Sequence, residues 1–149
     1  MTVIDQSKPV LVTGATGYIA GWVIERLLRS GHTVHATVRD PSKTASVAHL
    51  QKIADASSGS IQFFKADLLT PQSFDAAMQG CELVFHMASP FVVLNYKDAE
   101  KDIVRPAVEG TRNVLDSVNR TESVKRVVLT SSIVSTYGDA AEIVNTRNN

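Results

Sequence analysis

Apolar residues recur along this chain in two alternating rhythms. Short, mostly β-branched runs stand at Val10-Leu11-Val12, Thr33 to Val38, Ile61 to Phe64, Leu83-Val84-Phe85 and Val127-Val128-Leu129. Between them lie longer segments in which apolar residues return every three or four positions. The first rhythm predicts buried strands and the second predicts amphipathic helices. Ile19, Val23, Ile24, Leu27 and Leu28 share one face of a first helix, closed by Ser30-Gly31. A second helix is expected to open at Asp40-Pro41, with Asp as cap and Pro in the first helical position. It carries Val47, Leu50 and Ile53, and ends in Ser57-Ser58-Gly59-Ser60. A short helix from Pro71 runs through Phe74, Ala77 and Met78 to Gly80. A long helix over about 98–121 turns Ile103, Ala107, Val114, Leu115 and Val118 inward. Pro106 should kink it or delay its regular start.

Because the strands are continuous apolar runs, both of their faces are buried, as in a parallel sheet covered by helices. Right-handed crossovers then favour an α/β, doubly wound parallel sheet with strand order 3-2-1-4-5. The length of 149 residues suits one domain, and 44% apolar with 20% charged residues is ordinary globular usage, which argues against disorder. Fifteen basic and fifteen acidic residues cancel, so no field favours nucleic acid or an anionic membrane. Cys81 is the sole cysteine, so no internal disulfide and no thiolate metal cluster can form. The polar N-terminus and the lack of a long apolar run predict a cytoplasmic protein without a membrane span.

Two stretches carry candidate chemistry. The first strand runs into Thr13-Gly14-Ala15-Thr16-Gly17-Tyr18-Ile19-Ala20-Gly21. A glycine-rich strand-to-helix turn suits a pyrophosphate: glycine takes the backbone angles, bare Cα atoms let phosphate approach, and the helix N-terminus offers amide donors. The spacing is Gly-x-x-Gly-x-x-Ala, so alone it also fits a plain tight turn. The second strand ends in Val38-Arg39-Asp40-Pro41-Ser42-Lys43. Ribose recognition belongs there, with an acid for NAD or an arginine for the 2′-phosphate of NADP. With Asp40 read as a helix cap, Arg39 and Lys43 supply two cations for a phosphate.

With these residues in view, the chain resembles the N-terminal part of the extended short-chain dehydrogenase/reductase superfamily. It is most similar to the branch of dihydroflavonol reductases, cinnamoyl-CoA reductases and yeast-type carbonyl reductases. The matching stretches are Val12 to Ile19, Ala36 to Asp40, Lys65-Ala66-Asp67-Leu68, Val84 to Phe91, Pro106 to Thr111 and Val124 to Ser132. The resemblance implies a Rossmann domain over 1–149 that binds NADP(H). Gly14, Thr16, Gly17, Tyr18 and Ile19 would hold the pyrophosphate, and Arg39 and Lys43 the 2′-phosphate. Asp67 and Leu68 would bracket the adenine; Met87, Ala88 and Ser89 would line the ribose and nicotinamide side. Ser132 would be the catalytic serine that polarises a carbonyl substrate. Without the family, Asp67 reads as a loop or cap acid and Ser131-Ser132 as a strand-end turn.

One departure stands out. The family's tyrosine-x-x-x-lysine pair is absent, because Tyr137 is followed by Gly138-Asp139-Ala140-Ala141. The pair and the substrate domain are expected beyond residue 149, so this chain alone is expected to bind NADPH without turning over. The complete protein is expected to reduce an aldehyde or ketone. The rival readings are a nucleotide-sugar epimerase or dehydratase, and a non-catalytic NADP-binding module. An uncovered fifth strand is expected to make the chain self-associate. Cys81, with no neighbouring base in sequence, reads as inert; His86 reads as a packed, hydrogen-bonded histidine; Trp22 reads as core or interface.

Overall fold

The computed structural model describes residues 3–90 and 97–136. Phe91 and the segment from Tyr137 onward, including the question of the tyrosine–lysine pair, lie outside the described residues. Five parallel strands form one sheet: β1 (Val10–Val12), β2 (Thr33–Val38), β3 (Ser60–Lys65), β4 (Leu83–His86) and β5 (Arg126–Leu129). Their order is β3-β2-β1-β4-β5, as the alternation predicts. The crossovers are α1 (Tyr18–Arg29), α2 (Thr44–Asp55), α3 (Asp75–Met78) and α4 (Arg105–Arg120).

β1 explains why the runs are continuous. Val10 pairs with Val34 on one side and with Leu83 on the other, so the strand is central. Neighbouring side chains of a strand point to opposite faces. Val12 accordingly packs with Ile24, Leu28, Val47 and Leu50 under α1 and α2. Leu11 packs with Phe74, Met78, Val84 and Val114 on the opposite side, near α3 and α4. Each face needs an apolar residue, and no polar alternation is left.

Several local expectations are corrected. Asp40 does not cap α2. Its Oδ1 accepts from the Ser42 amide at 3.1 Å and from Ser42 Oγ at 2.6 Å, which closes a turn of its own. The helix therefore opens later, with Lys43 in the cap position. The helix expected from Pro71 is confined to α3, four residues long. Ile19 is 60% exposed and Trp22 59% exposed, so neither belongs to the core. The buried stripe of α1 is instead Ala20, Ile24 and Leu28, at strict four-residue spacing. On α4 the buried stripe is Gly110, Val114 and Ser117, and Leu115, 100° further round the helix, is exposed. Pro106 does delay the regular helix: a π-helical turn over Glu100–Val104 precedes α4, and the proline stands in its first turn. The Arg105 amide donates to the Glu100 carbonyl, so helical backbone runs through this point, and the proline falls where the wider π turn gives way to the regular helix.

β5 pairs with β4 on one side, and among the described residues no strand pairs with its other edge. Val128, Leu129 and Ile133 are exposed on or just after it. An open apolar edge invites pairing with another chain. Light scattering on a dilution series should show mass rising with concentration. Leu129→Lys should weaken that association about tenfold or more, because burying a leucine contributes ~1.5–3 kcal/mol. A single monomer mass at every concentration would count against it.

Candidate cofactor site

The loops leaving the C-terminal ends of β1 to β4 surround one cavity of about 560 Å³. The candidates Gly14, Thr16, Gly17, Arg39, Asp67, Leu68, Met87, Ala88 and Ser89 all line it. Tyr18, Ile19 and Lys43 do not; the Tyr18 and Ile19 side chains are exposed at the start of α1. Thr37, Val38, Phe74 and Pro106 also line it, and the sequence reading missed them. Thr37, Val38 and Phe74 are nearly fully buried and Pro106 half-buried, so in sequence they read as core or helix positions, and only the fold brings them to the cavity.

The turn after β1 is shaped by contact as much as by conformation. Gly14 has a φ of 68°, a left-handed angle that glycine tolerates. A Cβ on Gly14 would also stand 2.8 Å from the Ala88 Cα, so the loop after β4 packs directly on this glycine. The Ala15 amide donates to the Thr37 carbonyl at 3.0 Å, and the Gly17 amide to the Gly14 carbonyl at 2.9 Å. No side chain caps α1. The first amides of a helix have no acceptor within it, and here they belong to Tyr18, Ile19 and Ala20, beside the cavity wall of Thr16 and Gly17. Such a helix end favours an anion.

Thr13, which the sequence reading left without a role, joins the two loops. Its Oγ1 accepts the amides of Met87 and Ala88, each at 3.0 Å, and lies 2.9 Å from His86 Nδ1. With both lone pairs engaged, the hydroxyl proton goes to His86. Nδ1 is thus the acceptor and the ring hydrogen sits on Nε2. Burial holds the His86 pKa below the usual imidazole value, which preserves the neutral form this bond requires. The expectation of a packed, hydrogen-bonded histidine agrees with this arrangement.

At the ends of β2 and β3 the polar groups are arranged around loops. Asp40 is held below the usual carboxylate range by the Ser42 hydroxyl and amide, with Lys43 and Lys65 adding to it. Its charge is thus tied up locally, which leaves Arg39 as the cation on the cavity wall. Asp67 Oδ1 accepts the Leu69 amide at 2.9 Å. Ser73 Oγ accepts the Asp67 amide at 3.1 Å and donates to the Asp67 carbonyl at 2.8 Å.

Ser132 lies exposed beyond the end of β5 and is not part of the cavity wall. Its carbonyl accepts from the amide and the hydroxyl of Ser135, at 3.0 and 2.6 Å. Cys81, by contrast, does have a base nearby: His35 Nδ1 is 3.4 Å from its sulfur, brought there by the β2 crossover rather than by sequence. That nitrogen is also 2.8 Å from the Ala77 carbonyl, so it carries the hydrogen and donates. Burial pushes the thiol up to about 12, and a thiol so buried remains protonated and inert. No cluster of metal-binding side chains occurs among the described residues, and no helix there is long and apolar enough to cross a membrane.

A doubly wound parallel sheet with its cleft at the C-terminal strand ends defines a Rossmann-type domain. The chain belongs to the NAD dependent epimerase/dehydratase family, whose model matches residues 10–149. A cinnamoyl-CoA reductase of Medicago truncatula is 51% identical over 126 residues, covering 85% of this chain and 38% of that protein. An anthocyanidin reductase of Arabidopsis thaliana is 45% identical over 128 residues, 85% of this chain and 36% of that protein. The crystal structure of Gre2 from Candida albicans in complex with NADPH superposes with a TM-score of 0.74 at 35% identity. It covers 90% of this chain and 39% of that one. Vestitone reductase from alfalfa gives 0.68 at 35% identity, with 85% and 37% covered. The chain therefore spans well under half the length of these relatives.

Thr13 and His86 yield two measurements. Thr13→Val should destabilise the protein by about 1–3 kcal/mol or more, since it strands buried amides, whereas Thr13→Ser should stay close to wild type. Urea unfolding of the three proteins checks this. His86 has a folded-state pKa below 6.5, so the unfolded chain takes up its proton first as the pH falls. Its contribution is complete above pH 6.5 and is lost as the pH falls through the folded-state value. Unfolding across that range should show stability dropping with acidity, and His86→Gln should flatten the slope.

Proposed function

We propose that the cavity is the cofactor site of an NADPH-dependent oxidoreductase that reduces aldehydes or ketones. The observation that carries this reading is the continuity of one cavity from Arg39, past the Gly14–Gly17 turn, to Ser89. A cation at one end, amide donors at the middle and a tightly packed loop at the other match a dinucleotide laid across the strand ends. The reductases among the relatives, and Gre2 with its NADPH, support the same reading.

Each residue then has a task. The amides of Tyr18 and Ile19, with Gly14, Thr16 and Gly17, receive the pyrophosphate; their exposed side chains take no part, which fits their absence from the wall. Arg39 binds the 2′-phosphate, with Lys43 approaching from the start of α2. Asp67 and Leu68 bracket the adenine. Met87, Ala88 and Ser89 form the nicotinamide side, held in place through Thr13. When bound, the cofactor supplies a hydride to a carbonyl carbon. The hydroxyl of Ser132 helps polarise the carbonyl oxygen. In this reading residues 1–149 provide the cofactor side, and the substrate side belongs to sequence that the relatives carry outside the matched part.

Arg39→Ala should weaken NADPH binding about ten- to a hundredfold and leave NADH nearly unchanged, because a charge-assisted phosphate contact contributes ~1.5–3 kcal/mol. Calorimetric titration of both cofactors into both proteins decides it; equal losses would overturn the phosphate assignment.

A further inference from the structure

α4 touches the cavity wall through two residues that do not themselves line it. Gly110 is buried in the middle of α4, where a helix interior disfavours glycine. A Cβ at Gly110 would stand 2.9 Å from Leu68 Cβ and 3.2 and 3.3 Å from its two methyl carbons. The nearest of these atoms is the root of the side chain, so rotating the methyls away does not make room; Leu68 itself must move. One turn further on, Asn113 Nδ2 donates to the Leu68 carbonyl oxygen at 2.8 Å. One turn earlier, Pro106 reaches the cavity wall beside Leu68. Positions 106, 110 and 113 share one face of the helix. Leu68 is thus held at its side chain and at its carbonyl, while Asp67 and Leu69 on either side of it also line the cavity.

We propose that Gly110 and Asn113 are positioning residues for the base-binding end of the cofactor site. They act through Leu68: the glycine sets how closely the loop after β3 seats on α4, and the amide fixes its height along the helix. Together they set the width of the slot that takes the purine. This rests on the reading of the cavity given above, and the purine half of the ligand is what the latch governs.

The test uses adenosine 2′,5′-bisphosphate, which carries the base and the 2′-phosphate but no nicotinamide, alongside NADPH. Calorimetric titration should show Gly110→Ala and Asn113→Ala each weakening both ligands by the same factor, about tenfold, as expected for one misplaced contact. Asn113→Gln, which keeps an amide donor, should recover part of the loss. In a Leu68→Gly background the Cβ that the new methyl would strike is gone, so Gly110→Ala should add no further loss. A purely structural role would instead lower the melting temperature and give additive losses in that double variant. Variants that bind both ligands within about twofold of wild type overturn the latch alone. So do additive losses in the Leu68→Gly background. A wild-type protein that binds neither ligand overturns the reading of the cavity, and the latch with it.

Discussion

The hydroxyl of Thr13 accepts two amides from the exit of β4 and gives its own proton to His86. One residue later, Gly14 lies so close to Ala88 that no side chain fits between them. These two contacts hold together the loops that leave the two central neighbours of the sheet. β1 and β4 run parallel and pair side by side, so their chains leave at the same end of the sheet, where the tie joins them. With it they form one wall, and the cavity exists because that wall faces the loops after β2 and β3.

The tie also accounts for the chemistry of its members. Buried donors and acceptors are stable only when paired, and here the pairing fixes a tautomer. His86 must accept at Nδ1, so it must be neutral, and its burial favours that state. A histidine so committed does not act as an acid or base on a substrate. Cys81 is similar. Its neighbour His35 directs its hydrogen to a carbonyl and burial keeps the thiol protonated, so proximity alone makes no nucleophile.

α4 has two duties. Its buried stripe covers the sheet, and the face that carries Pro106, Gly110 and Asn113 meets the loop after β3. The π-helical turn before it changes the phase at which the regular helix begins, and the proline fixes where that happens. The sheet therefore does not shape the cavity alone. A helix laid across one side packs against the loop after β3 that forms part of the cavity wall.

Periodicity in the sequence determined the sheet. Runs apolar on both faces can be buried only in a covered parallel sheet, and strand order followed from the handedness of its crossovers. The glycine turn and Arg39 were legible because each stands at the end of a strand, where a doubly wound sheet gathers its loops, whereas Asp67-Leu68 and Met87-Ala88-Ser89 were singled out only by the family resemblance. Asp40 misled because a side chain can cap a helix or close its own turn, and both use the same local sequence. Ile19 and Leu115 misled because apolar character does not say which part of a helix surface meets the sheet. The tertiary structure alone decided what lies between elements: Thr13 beneath the β4 exit, His35 beside Cys81, Leu68 against Gly110. These are contacts between residues far apart along the chain. No periodicity encodes them, because each depends on how closely two backbones approach once the core has packed.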